Sequence, residues 1–286
     1  MAIIPTQNQY PDRAGYLGLD TDRNVLVGMS DGILQDMTNS VPDGWINVKD
    51  FGAKGDGTTD DTLAIQNALN NEGTIYFPPG HYIISDTLYP NNNSTLLGEY
   101  NLSFIEKINH FPWAIFHIEN KENITIQNLK LKNPIDPDYQ YDYKHIIIIY
   151  NNSKNIFINK CILLDTDGDG IITNKTTSDM PVPEYITISN CIIKNAKKNG
   201  IAIVSGHNIS IFNNYFTNIT RAYPKSGIDV EIEVFEENPT NVIIKNNYFY
   251  NCGLGIAVSK YANNVNISDN IIENSSEYGI YLRGSE

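Results

Sequence analysis

The chain has 286 residues, 41% of them hydrophobic, enough for one large domain with a short appendage. Its formal net charge of −13 argues against nucleic-acid binding, which needs a basic surface to neutralise phosphates. It contains no run of about 20 apolar residues, so no membrane insertion is expected, and its first ten residues lack the charged and apolar regions of a secretory signal.

Residues 1–44 mix Asp, Gly, Asn and Pro with short apolar pieces at 16–19 and 24–27, a pattern that predicts a small hairpin in an attachment segment. From Trp45 the text W-I-N-V-K-D-F-G-A-K-G-D-G-T-T-D-D-T-L-A-I-Q predicts a helix capped by Thr59 or Asp60. Its apolar side would carry Leu63, Ala64, Ala68 and Leu69, and it would plug the open end of the domain that follows. The glycines around Asp56 do not make a phosphate loop, because no G-x-x-x-x-G-K-[ST] is present. Asp56, Asp60 and Asp61 read as turn and cap residues.

An eleven-residue phrase then recurs six times, starting at Asn123, Asn155, Tyr185, Asn208, Asn241 and Asn264. The starts lie 32, 30, 23, 33 and 23 residues apart, a period near 23 with insertions, which is the mark of a solenoid. Apolar residues alternate on both sides of a polar pair, giving two short strands and a turn. A third strand opens on glycine at Gly170, Gly200, Gly227, Gly255 and Gly279. Three strands per coil predict an all-β parallel β-helix over residues 45–286. The eleventh residue is Asn133, Asp165, Asn195, Asn218, Asn251 and Asn274, an amide column that can hydrogen-bond along the axis and that Asp165 is expected to break. Cys161 and Cys191 share one phrase position and read as buried thiols rather than a disulfide.

The string V-K-D-F-G-A-K-G-D-G-T-T-D-D-T-x-A-I-Q, followed by G-T-I-Y-F-P-P-G-x-Y, resembles the opening of the pectate-lyase-like right-handed β-helix superfamily, which includes bacteriophage tailspikes and neck appendages. The resemblance spans about residues 45–283. It implies a homotrimer in a virion tail, bound to other tail proteins through residues 1–44 and acting outside the cell on a bacterial surface polysaccharide. The fold hosts hydrolases, lyases, epimerases and inert adhesins alike, so it does not name a reaction. The text ends just after a third strand without a closing cap, as expected for a fragment or for a coil covered by a partner.

Chemistry is expected where the stack departs from its repeat. The Gly227 strand places Asp229, Glu231 and Glu233 on its outward face, against Ala202 and Val204 in the coil below. Alternate residues lie roughly 6.7 Å apart, and neighbouring carboxylates raise one another's pKa, so one can act as general acid beside an ionised partner. That spacing suits an inverting glycosidase, although side-chain torsions could close the gap toward the retaining distance. A solvated acidic face is the bland alternative.

Asp165, Asp167 and Asp169 match the start of a calcium loop, but Thr176 stands where a bidentate Glu is required. No cofactor is required, and Ca²⁺ is the candidate ion. The turns along this edge also carry Tyr139, Tyr141, Tyr143, Lys197, Lys198, Arg221, Tyr223 and Lys225, which together describe a saccharide wall. Lys225, Arg221 or Tyr223 would be the base if the reaction were elimination or epimerisation. A non-catalytic receptor-binding rod is the third reading.

Overall fold

A computed structural model describes residues 17–20, 25–30, 33–36, 42–109, 114–135, 144–231 and 238–284, the first three segments by backbone alone. The chain divides into two compact units, Met1–Trp45 and Ile46–Glu286. In the first unit, Leu17–Asp20 pairs with Val25–Ser30, which pairs with Ile33–Asp36, both antiparallel. The predicted hairpin is therefore a three-stranded sheet.

The second unit is a right-handed parallel β-helix. Among the described residues it has three parallel sheets of nine, nine and seven strands, and each full coil gives one strand to each. One coil runs Lys154–Asn159, Ile162–Thr166 and Ile171–Asn174, on what are here the first, second and third sheets. Coil-to-coil register stacks like on like. Ile124, Ile156, Ile186, Ile209 and Val242 form one inward column, all fully buried. Burying such a column stabilises each coil by about 1.5–3 kcal/mol per side chain.

The phrase keeps its period because three of its positions bend the chain through the left-handed region. Positions one, six and eleven have φ between 52° and 62° wherever they are left-handed, as at Asn208, Asn213 and Asn218. Asparagine tolerates that conformation better than other residues with a Cβ, and its amide then faces the next coil. At position eleven, Asn251 Nδ2 donates to Asn218 Oδ1, Asn218 to Asn195, and Asn195 to Asp165, at 2.8, 3.3 and 2.8 Å.

The expected break at Asp165 is thus corrected. Its backbone is left-handed like the others, and its carboxylate, a pure acceptor, closes the ladder. Asn133 is the member that departs, donating instead to the His145 carbonyl.

Glycine opens the third strands for want of space. A Cβ on Gly200 would lie 2.5 Å from the Gly227 carbonyl oxygen and 2.6 Å from the Phe216 ring, which stacks on Phe249 at 4.7 Å. The helix is Thr62–Leu69, and it buries Ile65, Ala68 and Leu69 in the common core at the end of the stack. Leu63, expected on that face, is 73% exposed; the buried stripe is i, i+3, i+4 from Ile65.

Of the two expected caps, Asp60 serves, its Oδ1 accepting the N–H of Thr62, the first helical residue, while Thr59 turns its hydroxyl to Asp56. Asp61, fully buried, accepts from the Lys54 and Gly55 amides. Cys161, Cys191 and Cys252 are free and buried. No helix among the described residues is long and apolar enough to cross a membrane.

Candidate active site

The third sheet builds the site. Its outward columns follow from register: His117, Ile148, Ile172, Ala202, Asp229, Ala257 and Tyr281 stand in one line. Although these positions point away from the central core, most of them do not meet water. Ala114, Ile148, Ile172, Ala202 and Val204 form a second buried apolar cluster on this face, with Tyr150 packed against it. Asp229 continues that column and is itself fully buried.

Burial, helped by the negative charges of Glu231 and Asp169 and opposed by the Arg283 guanidinium, pushes the Asp229 carboxyl up to about 7. Arg283 donates to Asp229 Oδ2 at 2.9 Å, while Asp229 Oδ1 is buried and has no hydrogen-bond partner among the described residues. Glu231 lies at the rim, 3.6 Å from Lys198 Nζ and 3.9 Å from Arg283. Lys198 and Arg283 are about one quarter exposed, so this layer separates Asp229 from solvent.

A second set of buried polar and charged side chains underlies these. His145 and Asp169 occupy one register position two residues before their third strands, with Nδ1 and Oδ2 3.3 Å apart. Asp169 Oδ1 accepts the Asn199 N–H, and Asn199 Oδ1 accepts that of Ser226, which fixes the turns leading to Asp229. Asp167 lies 3.7 Å from both Lys144 and Arg221. Lys144 is as buried as its partner, and a buried pair of this kind holds only while both members remain.

The calcium-loop carboxylates therefore do not converge. Asp165 ends the ladder, Asp167 faces Lys144 and Arg221, and Asp169 faces His145. Among the described residues no group of three or more His, Cys, Asp or Glu side chains is arranged to hold a metal ion.

The wall of polar residues is only partly assembled around Asp229. Lys198 belongs to it. Arg221 turns to the coils below, where it donates to the Thr166 and Asn195 carbonyls. Lys225 pairs with Glu277 at 2.9 Å, Tyr223 is 69% exposed, and Lys197 is half-buried. Glu233, Tyr139, Tyr141 and Tyr143 lie outside the described residues. Sequence reasoning missed Arg283, Lys144 and His145. The signal for Arg283 was available: Val230 pairs with Val258 and Ser259 with Arg283, which puts Glu231 and Arg283 on one column, two coils apart.

Residues 45–281 match the family described as rhamnogalacturonase A/epimerase, pectate lyase-like, and the chain belongs to it. The family's name joins polysaccharide cleavage and epimerisation on one β-helix. An uncharacterised protein of Bacillus subtilis strain 168, YclG, is 26% identical over 84% of this chain and 45% of its own length. Gene product 12 of bacteriophage phi29, in its pre-mature form, superposes with a TM-score of 0.68 at 22% identity, over 83% of this chain and 34% of that one. An exopolygalacturonase from Thermotoga maritima gives 0.57 at 14% identity, over 85% and 76%. The chain thus spans less than half the length of the Bacillus and phage relatives.

Proposed function

We propose that this protein is a carbohydrate-active component of a phage tail that depolymerises a bacterial surface polysaccharide by acid/base hydrolysis. The observation that carries this reading is Asp229: a buried carboxyl with one unpaired oxygen, held near pH 7, beside a second carboxylate. A fold gains nothing from burying a half-paired acid, whereas a general acid at neutral pH requires one.

In the proposed reaction Asp229 gives its proton to the glycosidic oxygen as the bond from that oxygen to the anomeric carbon breaks. Glu231, its charge held by Lys198 and Arg283, takes a proton from the water whose oxygen bonds to the same carbon. The Cα atoms of alternate positions on one strand stand roughly 6.7 Å apart, and a carboxyl separation of ~6.5–9.5 Å, which side-chain torsions must preserve, would leave room for that water and invert configuration. Arg283 covers Asp229 and must yield to the polymer. Its move toward Glu231 would strengthen the hold on the base as the acid is uncovered.

Family membership and the likeness of fold to a bacteriophage protein support the polysaccharide and the virion setting. Residues 1–44 would join the particle and three chains would form the appendage, with action outside the host cell. The test is product analysis on host capsule or wall polymer. New reducing ends that depend on both Asp229 and Glu231 support hydrolysis, and an unsaturated sugar at the new end excludes it in favour of elimination.

A further inference from the structure

On the outer face of the first sheet, away from the acid cluster, lies a trough of about 320 Å³ lined by Phe157, Tyr185, Thr187, Asn208, Ser210, Asn241 and Ile243. Register places Phe157, Thr187, Ser210 and Ile243 on one outward column, so two apolar posts stand three coils apart, about 14 Å. Between them the floor is low and polar. Phe157, Tyr185 and Ile243 are 46%, 52% and 45% exposed.

Tyr185 is the anomaly. Position one of the phrase is otherwise an amide ladder: Asn155 donates to Asn123, Asn241 to Asn208, and Asn264 to Asn241. Tyrosine interrupts it at the third copy, in a left-handed backbone with φ 57° that disfavours a bulky side chain. The interruption leaves Asn155 Oδ1 without its donor and Asn208 Nδ2 without its acceptor. Thr187 and Ser210 hydroxyls likewise have no partner among the described residues. Nothing in the stack is gained by this substitution, while the surface gains a ring beside a row of free donors and acceptors.

We infer that this trough is a second binding site, for a neutral oligosaccharide. Rings at its edge offer apolar faces to a pyranose, and hydroxyls and amides on its floor match sugar hydroxyls. None of its lining residues is charged, in a chain of net charge −13 that would repel an anionic polymer elsewhere. A strand of polymer held here is retained on the particle while the third sheet works on another stretch, so the inference rests on the carbohydrate reading above. A second copy of the chain is the competing occupant, and apolar posts over unsatisfied polar groups fit a hydroxyl-rich ligand better than a dry interface.

The experiment titrates the full chain with linear glucan hexasaccharides, α-1,3-, α-1,4- and β-1,3-linked, with hexagalacturonate as the charged control, read by saturation-transfer difference NMR. Tyr185→Asn removes the ring and restores the ladder, so that variant folds at least as well as the parent; Phe157→Thr is the second probe. Binding of at least one neutral glucan, weakened about tenfold or more in both variants, with melting temperature equal or higher in Tyr185→Asn, is expected. Equal binding in parent and variants, binding of none of the three glucans, or preference for hexagalacturonate overturns the inference. A fall in oligomer mass of Tyr185→Asn by analytical ultracentrifugation overturns it in favour of self-association. Cleavage of host polymer by the parent protein, scored separately by reducing ends, reports the third-sheet site, so either reading can fail without the other.

Discussion

Replacing Asp229 with asparagine should stabilise the fold at neutral pH. The carboxyl's rise from its ordinary value of 3.8 to about 7 means that the folded protein binds the proton more tightly than the unfolded chain does. Stability from this group is complete below pH ~4 and is lost progressively as pH rises to about 7, beyond which the loss is constant. At ~1.4 kcal/mol per pH unit the full loss is ~4 kcal/mol, a large share of the roughly 5–15 kcal/mol that typically holds a domain together. The amide that replaces the carboxyl cannot ionise, and its carbonyl can still accept from Arg283. Urea unfolding of parent and Asp229→Asn at pH 4.5, 6 and 8 should therefore give curves that separate with pH, the variant being the more stable at pH 8. Parallel curves, or a variant less stable at pH 8, would refute the claim that Asp229 sits buried and destabilised by its charge.

Three further outcomes follow from the same geometry. Arg283→Gln removes the cation that holds the Asp229 carboxyl down, so the alkaline limb of the kcat/KM profile should move to higher pH; a limb that stays in place or moves down contradicts the pairing. Asn218→Ala deletes one donor and one acceptor of the amide ladder and leaves a less tolerant residue in the left-handed region, costing about 2 kcal/mol by urea midpoint. Gly200→Ala drives a methyl against the Gly227 carbonyl and the Phe216 ring and should cost about 2–3 kcal/mol, measured by thermal unfolding.

The β-helix was legible because its information is periodic. Inward Ile and Val, a left-handed asparagine at fixed phrase positions and a glycine at each third strand all recur, and register follows once the period is known. Asp229 and Glu231 were legible as a departure from that pattern. Their environment was not, since whether an outward side chain meets water depends on what packs on that face, and Ile148, Ile172 and Val204 form a buried cluster there that alternation alone reads as surface.

Asp165 was misread for a related reason. A carboxylate looks foreign in a column of amides, yet at the end of a ladder only an acceptor is required. Arg283 and His145 were hidden by looking one coil up or down, when a long side chain reaches two coils and the His145–Asp169 column starts before the strand. The helix start at Thr62 was displaced because Asp56, Thr58 and Thr59 bond among themselves rather than to the helix.

The measurement closest to the centre of this account is the pH profile of polymer cleavage by the parent, Asp229→Asn and Glu231→Gln proteins on host polysaccharide. Saturated products, an alkaline limb near pH 7 in the parent and loss of activity at every pH in Asp229→Asn are the predicted result. Undiminished cleavage by Asp229→Asn, or products carrying an unsaturated terminal sugar, would contradict it.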